Sequence, residues 1–104
     1  MSSFYNKIHK LAAKVPHGKV ATYGQLALMA GSPRASRIAG AAMCKVPDNM
    51  KIPCHRIIYG DGSLCKGDSF GGYAIQRQLL ESEGIVFLEN GNVDLKSCIW
   101  DGII

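Results

Sequence analysis

Pro53-Cys54-His55-Arg56 is the segment of this chain best equipped for chemistry. The thiolate is the nucleophilic form of cysteine, and a thiol next to an imidazole in a cationic stretch sits where its pKa is expected to fall. The competing reading is plain: Cys54 is a small apolar residue of the interior, and His55 is an unrelated neighbour. Taken alone, the pair favours the second reading. The other three cysteines, Cys44, Cys65 and Cys98, form no C-x-x-C spacing with it or with each other. Neither a zinc site nor a dithiol redox pair is therefore implied, and those three are expected to behave as ordinary small apolar residues. An even cysteine count would allow disulfides, but nothing else in the chain has a secreted character.

The elements that must position this segment follow from periodicity. Phe4, Ile8, Leu11, Ala12 and Val15 recur at helical spacing, with Lys7, Lys10 and Lys14 off that stripe. Ser3 is placed to cap this helix and Pro16-His17-Gly18 to stop it. Lys19-Val20-Ala21 is a short extended piece, a minor strand at most. Thr22-Tyr23-Gly24-Gln25 has the form of a capping box opening a short helix to Ala30, closed by Gly31. Ser32 then caps a second helix, with Pro33 in its first position, running to Met43. Two helices joined by a glycine-containing turn make a helix-turn-helix. The second has a thin face of Ala35, Ser36, Ala39, Gly40, Ala41 and Ala42, and a mid-helix glycine costs about 1 kcal/mol relative to alanine. Close packing against a neighbouring helix accounts for the core side of that face. Its exposed part, with Arg34 and Arg37, suits DNA.

Further on, Gly60-Asp61-Gly62 is a turn and Lys66 to Gly72 a loop. A helix spans about Ala74 to Glu83, with Ile75, Leu79 and Leu80 inward and Gly84 as its stop. Val86 to Glu89, Asn90-Gly91 and Asn92 to Leu95 form a hairpin pattern, followed by a tail containing Trp100.

Charge is strongly polarised along the 104 residues. Residues 1–56 hold nine bases against the single acid Asp48, a net of +8; residues 57–104 hold three bases against seven acids, a net of −4. Such a chain offers one cationic face to a polyanion, and a solvated basic surface is the simpler alternative. With 47% hydrophobic residues the chain can bury a core. It has no apolar run of membrane-spanning length and no basic-then-apolar leader, so a cytoplasmic single domain over 1–104 is expected, a monomer with no membrane partner.

In order along the chain stand Val15-Pro16-His17-Gly18-Lys19-Val20, Thr22-Tyr23-Gly24-Gln25-Leu26-Ala27, Ala30-Gly31-Ser32-Pro33-Arg34-Ala35, Arg37 with Gly40 and Met43, Ile52-Pro53-Cys54-His55-Arg56, and Leu79-Leu80-Glu81-Ser82-Glu83-Gly84. This succession resembles the DNA-binding domain of the O6-alkylguanine-DNA alkyltransferases and the alkyltransferase-like proteins. The resemblance implies an α+β, winged-helix-like helix-turn-helix domain with a small C-terminal hairpin, and no cofactor or metal. It implies that Cys54 accepts an alkyl group from guanine O6 in one irreversible turnover, activated through a water by His55, with Glu83 orienting the imidazole. The target base must leave the duplex stack to be reached. The implied DNA-binding residues are Tyr23, Arg34, Ala35, Arg37, Gly40 and Arg56, with Arg37 filling the gap left by the extruded base. The implied base pocket is lined by Tyr23, Cys54, Ile57 and Ser69.

Two features lean toward the alkyltransferase-like branch, which binds the lesion without repairing it and hands it to nucleotide excision repair proteins. Val46 stands where the alkyltransferases carry a bracing asparagine, and their N-terminal domain has no counterpart. Against this, most alkyltransferase-like proteins carry tryptophan at the position of Cys54. Transfer to Cys54 is the expected activity, because its partners His55 and Glu83 are both in place, and recognition alone is the alternative. A sequence-reading transcription regulator fits less well, because the second helix offers alanine and glycine rather than base-reading side chains. A Cys-His hydrolase has no supporting motif.

Overall fold

The computed structural model of the protein describes residues 3–46, 52–64 and 73–102. Its elements are α1 (Ser3–Ala12), β1 (Ala21–Thr22), α2 (Tyr23–Met29), α3 (Ser36–Met43), a 3-10 turn (Cys54–Arg56), β2 (Ile57–Ile58), α4 (Tyr73–Ser82) and α5 (Leu95–Cys98). The α+β helix-turn-helix architecture is the one expected from the sequence. What periodicity did not anticipate is the pairing at its centre: β1 and β2 are parallel, with Ala21 opposite Ile57 and Thr22 opposite Ile58. A two-residue strand has no readable period, and a parallel partner 36 positions away leaves no turn signal.

This short sheet divides the interior in two. Successive residues of a strand point to opposite sides. Ile57 accordingly joins the core of α1, α2 and α3 with Ile8, Ala12, Leu26, Ala27, Ala39, Ala42 and Trp100. Ile58 joins a second cluster with Val20, Leu64, Leu80, Ile85, Val93 and Cys98. Both isoleucines are fully buried, each worth roughly 1.5–3 kcal/mol relative to exposure. The segment carrying Cys54 thus enters the domain through a strand anchored on both faces.

α2 begins as half a capping box. Thr22 Oγ1 accepts from the Gln25 amide at 3.0 Å, but the Gln25 side chain turns away and donates to the Trp100 carbonyl at 2.8 Å. The C-terminal tail is thereby tied to the helix-turn-helix, and Val20 bridges Ile99. α3 starts at Ser36, three residues later than Pro33: Ala35 N donates to Ser32 O at 2.9 Å in a turn, and Ala35 occupies the N-cap without a side-chain bond. His9, buried in α1, contacts the Ala42 carbonyl near the end of α3 at 2.7 Å, joining the two helices.

On α4 the inward stripe is shifted from the one expected. Leu80 and Gln76 are fully buried, whereas Ile75 and Leu79 are 42% and 41% exposed. The reason is that Gln76 finds backbone acceptors inside, described below. The C-terminal hairpin is reduced to one antiparallel bridge, Phe87 with Val93, closed by Leu88 N to Asn92 O at 2.7 Å. After it the chain forms the single turn α5, which the sequence reading left as tail. Among the described residues no helix is long and apolar enough to cross a membrane.

Candidate functional site

The 3-10 turn Cys54–Arg56 is held from the side by α4 at two points two helical turns apart. Near the helix start, Gln76 Nε2 donates to the carbonyls of His55 (3.1 Å) and Ile57 (3.3 Å). Just past its end, the Glu83 carboxylate contacts His55 Nε2 at 2.6 Å and accepts from Arg56 Nε (2.9 Å) and Nη2 (2.9 Å). The Gly18 amide donates to the same carboxylate at 3.2 Å, and Arg56 Nη1 to the Val15 carbonyl at 2.9 Å. One acidic side chain therefore gathers the loop after α1, the turn and α4.

Burial of Glu83 opposes its ionisation, but the hydrogen bonds from Arg56, His55 and Gly18 outweigh it and bring its pKa down to about 2. It is a fixed anion near neutral pH. An anion at 2.6 Å from Nε2 makes that nitrogen the protonated one, which leaves Nδ1 of a neutral His55 as the basic lone pair. That is how a histidine is prepared to take a proton.

Cys54 itself is half-buried against the first core cluster, alongside Tyr23, Val46 and Ile52. Here the sequence expectation of a lowered thiol pKa is corrected. Burial raises it, a backbone hydrogen bond offsets part of that, and Cys44 pushes it up further. Arg56, the arginine nearest to Cys54 along the chain, has turned inward to Glu83.

Two further assignments are corrected. Arg56, expected at DNA, is spent on Glu83 and the Val15 carbonyl and acts as an internal clamp. Ile57, expected in the base pocket, has no exposed surface and belongs to the core, because the strand register turns it toward α1 and α2. Ser69 lies outside the described residues.

The remaining expected residues lie on the helix-turn-helix. Arg34 and Arg37 are exposed, and Ala35 and Gly40 are partly exposed. The thin face of α3 separates into two: Ala39 and Ala42 are fully buried, while Ser36 and Ala41 look outward. Gly40 is informative. A Cβ added there would meet, within 4 Å among the described residues, only Tyr23 Cδ1, at 4.0 Å, an ordinary contact. Among the described residues, then, packing makes no demand for glycine at this position. Tyr23 opens α2, partly buried, with its ring 5.1 Å from that of Tyr59.

Sequence reasoning missed Gln76 and Tyr59. Gln76 could have been found as a polar residue four before Leu80 on a stripe that must be buried, and seven before Glu83. Tyr59 lies two residues past Ile57, and so on the same side of a strand.

Residues 3–85 match the family described as 6-O-methylguanine DNA methyltransferase, DNA binding domain. A DNA base-flipping protein of Escherichia coli (strain K12) is 35% identical over 101 residues, covering 95% of this chain and 75% of the relative. A methylated-DNA–protein-cysteine methyltransferase of Cricetulus griseus is 45% identical over 76 residues, 73% of this chain but only 36% of that longer protein. Among solved structures, S. pombe Atl1 in complex with damaged DNA containing O6-carboxymethylguanine superposes with a TM-score of 0.82 at 32% identity, covering 97% of each chain. With the match spanning α1 through the end of α4 and taking in the Cys54 turn, the chain belongs to the family of the 6-O-methylguanine DNA methyltransferase DNA-binding domain.

Proposed function

We propose that this protein recognises O6-alkylguanine in duplex DNA, rotates the damaged nucleotide out of the stack, and accepts its alkyl group on Cys54. The observation that carries the reading is the 2.6 Å contact between His55 and an ionised Glu83, one residue from the thiol. In this scheme His55, held through Nε2 by Glu83, takes the thiol proton through a water. The sulfur lone pair forms a bond to the alkyl carbon, the bond from that carbon to O6 breaks, and the electron pair left on guanine is neutralised by a proton returned from the imidazolium. Burial, which raises the thiol pKa in the free protein, makes ionisation dependent on His55 rather than on bulk solvent.

α3 supplies the DNA contact, with Arg34 and Arg37 outward and Ala35 and Gly40 letting its backbone approach a groove. Arg37 fills the vacated position in the stack and Tyr23 crowds the flipped nucleotide. Support comes from the S. pombe neighbour, whose complex holds DNA with O6-carboxymethylguanine, and from the E. coli relative described as base-flipping.

A second reading, recognition without transfer followed by handover to nucleotide excision repair proteins, is favoured by two specific observations. Burial opposes the Cys54 thiolate, and relatives matched over most of their length carry the names base-flipping protein and alkyltransferase-like protein. Mass spectrometry after mixing with a duplex containing O6-methylguanine separates the two. Transfer adds about 14 Da to the Cys54 peptide and is abolished by Cys54→Ala. Tight, lesion-selective binding with no mass gain would establish recognition alone.

A further inference from the structure

Tyr59 is an aromatic side chain for which neither the core nor the Glu83 network has a use. It is 40% exposed. Its backbone is nonetheless pinned: Tyr59 N donates to Ser63 O at 3.0 Å and Gly62 N to Tyr59 O at 2.9 Å. The turn itself is locked against the C-terminal segment. Gly62 has φ +88, an added Cβ there would lie 2.7 Å from the Val93 carbonyl oxygen, and Val93 N donates to Gly62 O at 2.8 Å. A rigid backbone thus presents a large, half-open ring in one place.

That place is beside Tyr23. The two ring centroids are 5.1 Å apart at an interplanar angle of 56°, within the tilted geometry that aromatic pairs favour. Tyr23 in turn lies next to Gly40 on α3. Tyr59, Tyr23 and Gly40 therefore form a row from the end of the active-site strand to the thin face of the helix. Tyr59 also borders an open recess of about 290 Å³ with Gly60, Asp61 and Ser63.

We infer that Tyr59 is a positioning residue for base extrusion, fixing the Tyr23 ring by tilted stacking so that it crowds the target nucleotide. This rests on the reading of the protein as one that flips O6-alkylguanine. It adds a residue that acts through Tyr23, without touching the reacting atoms.

The test uses the full chain with two fluorescent duplexes identical except for O6-methylguanine or guanine at one position. Each carries 2-aminopurine as the neighbouring base, whose emission rises when its neighbour leaves the stack. Tyr59→Ala is expected to lose lesion affinity about three- to tenfold and to lose most of the emission rise, with affinity for the undamaged duplex unchanged. Tyr59→Phe, which keeps the ring, is expected to restore both. If Tyr59→Ala does not fold, Tyr59→Leu is judged by the same measurements. Wild-type emission from the alanine variant, an equal loss on both duplexes, or failure of the phenylalanine variant to rescue would each overturn the inference alone. A wild type that gives no emission rise on the lesion duplex overturns the parent reading, and this inference with it.

Discussion

Replacing Glu83 by glutamine keeps the shape of the side chain and removes its charge. In the wild type that carboxylate is 7% exposed and is contacted by Arg56, His55 and the Gly18 amide. Its burial is outweighed by those donors, and its pKa stands at about 2 against an ordinary 4.5. A carboxyl lowered in this way stabilises the folded chain fully above its unfolded pKa, near 4.5, and the contribution drains away as pH falls toward 2. At about 1.4 kcal/mol per pH unit the gap corresponds to roughly 3 kcal/mol, and residual solvent contact reduces this to about 2 kcal/mol. For a domain of this size that is a fall in Tm of about 10 °C. Thermal and urea unfolding followed by circular dichroism at pH 7 measure it directly. Repeating the measurement in steps from pH 4.5 to 2.5 should show the wild-type curve descending toward that of Glu83→Gln, because the variant has no charge to lose. A loss below about 0.5 kcal/mol at pH 7, or a gap between the two proteins that stays constant down to pH 2.5, would refute the assignment of Glu83 as the anion that ties the site together.

Gly40→Ala should stabilise the free protein by about 0.5–1 kcal/mol, since alanine suits a helix interior and its Cβ meets only Tyr23 at 4.0 Å. The same change should weaken binding to duplex DNA, measured by anisotropy, and unchanged affinity would show that α3 does not approach DNA through this residue. Gln76→Leu leaves the His55 and Ile57 carbonyls without their side-chain donor in a fully buried position. A loss of about 1–3 kcal/mol in urea unfolding is expected, with faster alkylation of Cys54 by iodoacetamide as the turn loosens; unaltered thiol reactivity would mean that α4 does not hold the turn in place.

Local signals in the sequence were strong where they depended on neighbours along the chain. Phe4, Ile8 and Ala12 marked α1, although the helix stops at Ala12, short of Val15, and Thr22 with Gln25 marked the start of α2, because period and capping are properties of a few consecutive residues. The expected Ser32 cap failed for the same kind of reason seen from the other side. Ser32 closes a turn with Ala35, and that choice costs little locally, so context decided it. Ile75 and Leu79 looked as apolar as Leu80, and only the presence of the His55 and Ile57 carbonyls explains why Gln76 points inward instead.

The order of short motifs around Cys54, His55 and Glu83 was enough to indicate the family, since it is carried by residue types at set spacings. What surrounds the sulfur was settled only in three dimensions. Whether Arg56 faces DNA or Glu83, whether Ile57 lines a pocket or the core, and whether the thiol is made easier or harder to ionise all depend on the parallel register of β1 with β2 and on how far burial outweighs charge. Charge in a sequence is counted by position along the chain, whereas an ionisable group responds to distance and dielectric. Those two quantities exist only once residues 18, 55, 56 and 83 have been brought together.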